Sequence, residues 1–327
     1  MVVRLIGPDL EPAASLHKSD PVRWTCSFVN NMPDGAFEAT ERQFLELLAG
    51  ASGDEIIEVR RHTMDGIVRD PSMMRDVGKY YRPSSDIIES PPNILIVTGS
   101  NPVEDRIDAE PYWDEMRDLL RWASASVPSM LLSCLAAHAA LLAFDDIPRV
   151  RLDEKCTGVF RQNVDVTHPL GRGIDDEILL PHSRINSADV RHLREHGYCI
   201  VVESQTVGWS VATKTIDQCD VVLIQAHPEY EPSSLLREYR RDARRYVTRE
   251  RFDRPVLPYH CVGNQDWPRL EILQAALLPS ERGVMLLDDY PFGDVSTRAP
   301  WPWRDMARQL YANWLSGVRI EKGDAHA

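Results

Sequence analysis

The stretch Ser129–Phe144, SMLLSCLAAHAALLAF, decides the fold. Met130–Leu132 is a short apolar run and reads as a buried strand. It stops at Ser133–Cys134. From Leu135 onward every residue is apolar or small except His138, a composition that suits a buried helix. A strand that breaks sharply into a helix exposes the residue at the break. That residue also sits at a helix N-terminus, where free N–H groups and the helix dipole favour a thiolate. Cys134 occupies this position and is the candidate nucleophile. The competing reading is a structural cysteine, since free Cys is among the most buried residue types.

On either side of this stretch the chain repeats the same rhythm. Asn93–Gly99 (NILIVTG) is apolar almost throughout, as a strand covered on both faces must be. Pro111–Ala123 is amphipathic and predicts a helix. Strand, helix, strand, helix predicts an α/β fold with a mostly parallel central sheet flanked by helices. In such sheets chemistry lies at the carboxyl ends of the strands, which puts Cys134 and the 98–103 loop on one rim. Upstream, Val22–Val29 and Ile56–Val59 predict strands and Ala36–Leu48 a helix. Residues 64–92 show no clear period and read as a long surface connection. Downstream, Thr157–Val164, Ile178–Leu180, Tyr198–Glu203, Gly208–Lys214 and Val221–Ala226 predict strands. Ser233–Val247, a short segment near Leu270–Leu277, and Trp303–Leu315 predict helices. Residues 1–20 read as a polar arm, 21–320 as a single domain and 321–327 as a tail.

The net charge of −13 opposes nucleic-acid binding and anionic membranes. No apolar run approaches the ~20 residues that span a bilayer, and MVVRLIGPDL is too short for a signal peptide. The six cysteines, at 26, 134, 156, 199, 219 and 261, form no Cys-x-x-Cys pair. The chain has no His-x-x-x-His pair and no Gly-rich phosphate loop. We therefore expect a cytoplasmic protein with reduced thiols, no metal and no bound cofactor.

A second constellation follows the last buried strand: His227–Pro228–Glu229. In an extended segment residues two apart point the same way, so Glu229 can orient the His227 imidazole. Cys134, His227 and Glu229 then form a nucleophile, base and orienting carboxylate. The alternative is that His227 merely ends a strand and Glu229 caps a helix. His138, one turn past Cys134, and His182, in Pro181–His182–Ser183–Arg184, read as structural histidines. The helix after His227 carries Arg237, Arg240, Arg241, Arg244 and Arg245. Such a face is usually solvated, but one arginine turned toward the strand ends could hold a carboxylate.

These residues resemble the homoserine O-acyltransferases, a family with a fold like the class I glutamine amidotransferases. The resemblance runs from about Val22 to Val318. It rests on Asn31–Met32–Pro33, Glu38–Thr40–Glu41, Thr98–Gly99, Tyr112–Trp113, Ser133–Cys134 with Ala136, Glu154–Lys155 with Gly158–Val159, and His168–Pro169. It continues through Arg172–Gly173, Asp175–Asp176, Pro181–His182–Ser183–Arg184, His227–Pro228–Glu229–Tyr230, Arg241–Asp242 and Asn313–Trp314–Leu315. The resemblance implies that Cys134 carries the acyl group as a thioester, with His227 as general base and Glu229 its partner. It implies substrate contacts from Lys155, Ser183 and Arg241, the last taking the amino acid's carboxylate. Acyl-CoA, succinyl or acetyl, would be the co-substrate, and homoserine or a related hydroxy amino acid such as serine the acceptor. Backbone N–H groups of Leu135 and of the Gly99–Ser100 loop could hold the oxyanion. The resemblance also admits a homodimer.

The chain departs from the family at several places. Leu135 and His138 replace its usual Trp and Gln, and the lysine usual after Met-Pro is lost around Asp34–Ala36. An insertion is expected at about 247–287. The position whose Glu or Gly tracks acetyl or succinyl preference falls on Val103, or with a one-residue slip on Glu104. Two other readings of the same residues remain open: a glutamine amidotransferase-like hydrolase and a catalytically silent relative.

Overall fold

The structure, a computed structural model, describes residues 3–6 and 21–319. Most of the expected arm and the whole 321–327 tail lie outside the described residues. Eleven described strands form one sheet: β1 (Val3–Ile6), β2 (Val22–Val29), β3 (Ile56–Thr63), β4 (Arg82–Pro83), β5 (Ile94–Val97), β6 (Ser129–Ser133), β7 (Val150–Val164), β8 (Glu177–Ser187), β9 (Cys199–Ser204), β10 (Gly208–Ile216) and β11 (Cys219–Ile224). Their order is β1-β3-β2-β5-β6-β11-β10-β9-β7-β8, with β4 beside β3. Pairings from β1 through β11 are parallel, and those from β11 outward through β10, β9, β7 and β8 are antiparallel.

The central strands are buried on both faces, which is why they read as unbroken apolar runs. Ile94, Ile96, Leu131, Val222 and Ile224 face one core, whereas Leu95, Val97, Met130, Leu132, Val221 and Leu223 face the other. Helices α3 (Trp113–Ser126) and α4 (Leu135–Asp145) pack together on the second face. Helices α1 (Asp34–Ala51), α6 (Ser234–Val247) and α10 (Arg304–Gly317) cover the first. A helix buried nearly all round shows no apolar stripe, and α4 is such a helix, with Leu135–Leu141 fully covered.

Three segments differ from expectation. Val3–Ile6, inside the expected arm, pairs with Ile57–Arg60 as an edge strand. Part of the expected 64–92 connection is helical: α2 (Pro71–Tyr80) starts on a proline at its first position and seats Met73, Val77 and Tyr81 against Phe37. β7 and β8 run well past the predicted bounds as an antiparallel ribbon. A ribbon with polar exposed positions lacks the apolar run that marks a central strand.

The 247–287 segment packs onto the domain. It carries α7 (Trp267–Ala276) and most of α8 (Glu281–Asp289), and α8 lies against α6. Tyr259 is bonded to β7 through Tyr259 N–H to Thr157 O (3.0 Å) and Val159 N–H to Tyr259 O (2.7 Å). Between them Gly158 has φ of +139°, and a Cβ there would meet the Tyr259 backbone nitrogen at 2.5 Å. Only glycine lets these two chains approach so closely.

Candidate active site

Sheet register brings the sequence candidates together. Val97 of β5 pairs with Leu132 of β6, and Ser133 of β6 pairs with Ile224 of β11. The chain leaves these neighbouring strands at Gly99, Cys134 and His227, all at their carboxyl ends. Cys134 N–H donates to Ile224 O at 2.7 Å, and His227 N–H to Pro181 O at 2.8 Å. These two bonds lock the thiol segment to β11 and the imidazole segment to β8.

Cys134 is the residue at the break, with φ of 51° and ψ of −108°. A non-glycine residue there is strained, and such strain persists only where the surroundings over-determine it. The geometry lifts the side chain off the strand end while its carbonyl already accepts from Ala137 and His138 N–H. Cys134 is half-buried, whereas Cys26, Cys219 and Cys261 are buried. Burial pushes the Cys219 and Cys261 thiols up to about 12. Thiols so buried in apolar surroundings are inert.

His227 Nδ1–H donates to Glu229 Oε1 at 2.8 Å, and both side chains are nearly inaccessible. Burial opposes charge on the imidazole, but it is outweighed by the Glu229 carboxylate and the Cys134 sulfur, so His227 is held well above its ordinary value. Nε2 has no well-formed hydrogen bond in this resting arrangement. The Cys134 sulfur nevertheless acts on this imidazole, and contacts of this kind commonly tighten once a ligand is bound. Tyr230 stacks on the imidazole at 4.3 Å between centroids.

Gly99 lies against the elbow. A Cβ there would stand 3.2 Å from Cys134 Cβ and 3.3 Å from Leu135 N. Its lack of a side chain leaves space over the first N–H of α4, a group with no intrahelical carbonyl to bind. Ser100 Oγ donates to Tyr112 OH at 2.7 Å on the same rim.

Lys155, Ser183 and Arg241 are brought together by two carboxylates that sequence reasoning passes over. Ser183 and Tyr230 both donate to Glu238, Tyr230 at 2.5 Å, and Lys155 Nζ lies 3.6 Å from it. Lys155 Nζ donates to Asp242 Oδ2 at 3.2 Å, and Arg241 to Asp242 Oδ1 at 2.9–3.0 Å. Burial opposes the Asp242 charge, but Lys155 and Arg241 outweigh it and hold the carboxyl below its usual range. Glu238 and Arg241 are three apart on α6, and residues so spaced share a helix face. That spacing was the available signal.

The two other histidines are structural, as read. His182 bonds to Gln162 Nε2 (3.0 Å) and Ser210 Oγ (3.1 Å) inside the antiparallel layer, and burial keeps it neutral. His138 lies edge-on to Trp209, and burial, aided by Arg184 and Arg149, pushes it down to about 3. Val103 is 71% exposed, and its N–H and that of Glu104 donate to the buried Glu110 carboxylate, itself paired with Arg149 at 3.2 Å.

A half-buried thiol on a strained strand-to-helix elbow, beside a His–Glu pair from the next parallel strand, sits in a class I glutamine amidotransferase-like fold. A solved glutamine amidotransferase from Methylobacillus flagellatus shares the fold, with a TM-score of 0.50 at 16% identity over 94% of this chain and all of that one. A model of the homoserine O-succinyltransferase family matches residues 13–321. A homoserine O-succinyltransferase of Rhodopseudomonas palustris is 38% identical over 322 residues, 96% of each chain. One from Methylorubrum extorquens is 32% identical over 95% of this chain and 92% of its own. The chain belongs to the homoserine O-succinyltransferase family. No helix among the described residues is long and apolar enough to cross a membrane.

Proposed function

We propose that the protein transfers an acyl group from acyl-CoA to the side-chain hydroxyl of homoserine through a thioester on Cys134. The observation that carries this reading is the Cys134–His227–Glu229 cluster with the Lys155–Ser183–Arg241 group on the same rim. In the first half-reaction the Cys134 thiolate attacks the donor carbonyl. The oxyanion is held by the N–H of Leu135 and one from Gly99–Ser100, each such donor worth ~3 kcal/mol. The tetrahedral adduct collapses, the sulfur–carbon bond of the donor breaks, and His227 gives its proton to the departing CoA thiolate. One thioester replaces another, so little free energy is lost.

In the second half-reaction neutral His227 accepts the proton of the acceptor hydroxyl as that oxygen attacks the enzyme thioester. The ester forms, the Cys134 thiolate departs, and the imidazolium is restored. Glu229 keeps Nδ1 protonated, so Nε2 is the nitrogen that exchanges the proton. Arg241 receives the acceptor's carboxylate, with Lys155 and Ser183 beside it. Succinyl is the acyl group we assign. The names of the relatives support it.

An acyl-CoA by amino-acid matrix, read as free CoA, tests this reading. We expect succinyl-CoA with homoserine to be the best pair and Cys134 to carry a succinyl adduct when the acceptor is left out. Full activity in Cys134→Ala, or ammonia release from glutamine without CoA turnover, would overturn it.

A further inference from the structure

An arginine-rich helix face is ordinarily just solvated, but the one on α6 is partly roofed. Arg237, Arg240, Arg241 and Arg244 line a cleft of about 270 Å³ whose far wall is Leu287 and Asp288 of α8. Their spacing sets all four guanidinium groups on one side of the helix. Local carboxylates do not use up this charge. Glu231 is shared between Arg42 and Arg237, and Asp242 among Lys155, Arg241 and Arg251. Arg244 pairs with Asp288 at 2.8 Å, which ties α8 over the cleft. Arg240 lies over the Phe292 ring at 5.2 Å. In a chain of net charge −13, four arginines gather on one helix face, three of them paired with Glu231, Asp242 and Asp288.

We propose that this cleft binds the phosphates of the adenosine end of the acyl donor, with Leu287 as an apolar wall for the base. The proposal rests on the acyl-CoA reading above. Guanidinium forks match phosphate oxygens in pairs and hold them at fixed geometry. Position supports the assignment. Glu238 touches Tyr230, which stacks on His227, and Arg244 lies six residues further along the helix, about 9 Å at ~1.5 Å per residue. A donor with its thioester at Cys134 has a long flexible arm between the thioester and its phosphates, and the cleft lies along the helix that leads away from the sulfur. Arg241 both lines the cleft and bonds to Asp242.

The test uses Arg237→Gln, Arg240→Gln and, as a charge control, Arg245→Gln, which is on α6 but does not line the cleft. Binding of adenosine 3′,5′-bisphosphate is measured by calorimetry. The rate of Cys134 acylation is measured with succinyl-CoA, its 3′-dephospho form, and the truncated S-succinyl-N-acetylcysteamine. We expect each cleft variant to weaken bisphosphate binding and raise KM for succinyl-CoA about fivefold, the order of a half-exposed ion pair. The truncated donor should react equally with all variants, and the dephospho donor should show a smaller loss. Unchanged bisphosphate binding in both cleft variants, no binding to the unaltered protein, an equal loss with the truncated donor, or a matching loss in Arg245→Gln would overturn the proposal. Calorimetry needs no turnover, so a failure of the acyltransfer reading shows separately, as absent acylation by every donor.

Discussion

The two halves of the sheet are built from different chemistry. The parallel half, through β5, β6 and β11, delivers a thiol, an imidazole and a carboxylate to one point by register between apolar strands. The antiparallel half, through β7 and β8, delivers Lys155 and Ser183 to α6 by ion pairs between buried or half-buried charges. In the parallel half position follows from backbone pairing, and the reacting groups stay put whatever the surface does. In the antiparallel half position follows from side chains holding one another, so one lost charge disturbs several partners. On the acyltransfer proposed above, the first arrangement would suit chemistry common to both half-reactions, and the second recognition of the acceptor alone.

That contrast breaks most sharply at the elbow. Cys134→Ala should lower turnover on the order of 10⁴-fold or more, as for other nucleophiles that act as a unit with their base, checked by CoA release and by loss of the acyl adduct. Glu229→Gln should cost about 10²–10³-fold. It should also move the His227 titration, followed by imidazole NMR, to lower pH, because the carboxylate is the foremost group holding the imidazolium up. An unmoved titration would mean that the sulfur alone sets the imidazole's charge. Gly99→Ala should fold normally yet lose roughly 10²-fold, since its methyl would crowd Leu135 N by a few tenths of an ångström where the oxyanion is stabilised.

The same contrast explains what the sequence revealed. The runs 94–97, 130–132 and 221–224 announce strands covered on both faces, and the rhythm of strand and helix then dictates where their ends meet. Cys134 and His227 were legible for that reason, although they lie far apart in the chain. Helix α2 was missed although Met73, Val77 and Tyr81 fall four apart, because the helix is short and its few apolar residues are outnumbered by polar ones. Glu238 was legible only as a residue sharing a face with Arg241, because its partners come from β7, β8 and the turn after β11, and spacing within one helix does not show what stands opposite it.

The next variant separates the halves. Glu238→Gln should leave the acylation half-reaction within about twofold while raising KM for the amino acid about tenfold, the cost of removing a charged hydrogen-bond acceptor. Its carboxylate holds Ser183, Tyr230 and Lys155 together, and none of these is bonded to the elbow. Stopped-flow acylation and steady-state KM, measured on the same preparation, make the comparison. An equal loss in both steps would show that the ion-pair layer also positions His227 through Tyr230.

The smallest effect on activity belongs to His138, in the apolar layer behind the elbow, where the resembling family has Gln. Its imidazole is held near pKa 3, chiefly by burial, against about 6.5 in an unfolded chain. Between those values the unfolded state binds a proton that the native state refuses, so stability falls as the pH drops through that window. One such group contributes about 1.4 kcal/mol per pH unit. His62, pushed down to about 4 by burial, acts in the same direction. His227 acts in the opposite one: its raised value adds stability below pH 6.5 that is lost as pH climbs through the native value. His138→Gln should therefore leave turnover at neutral pH within about twofold and flatten the acid side of the denaturation profile by roughly 1.4 kcal/mol per pH unit. Urea melts between pH 4.5 and 6 measure this slope. An unchanged slope would mean that the buried imidazole gains a proton in the native state, and that the layer beneath the elbow opens to solvent before the protein unfolds.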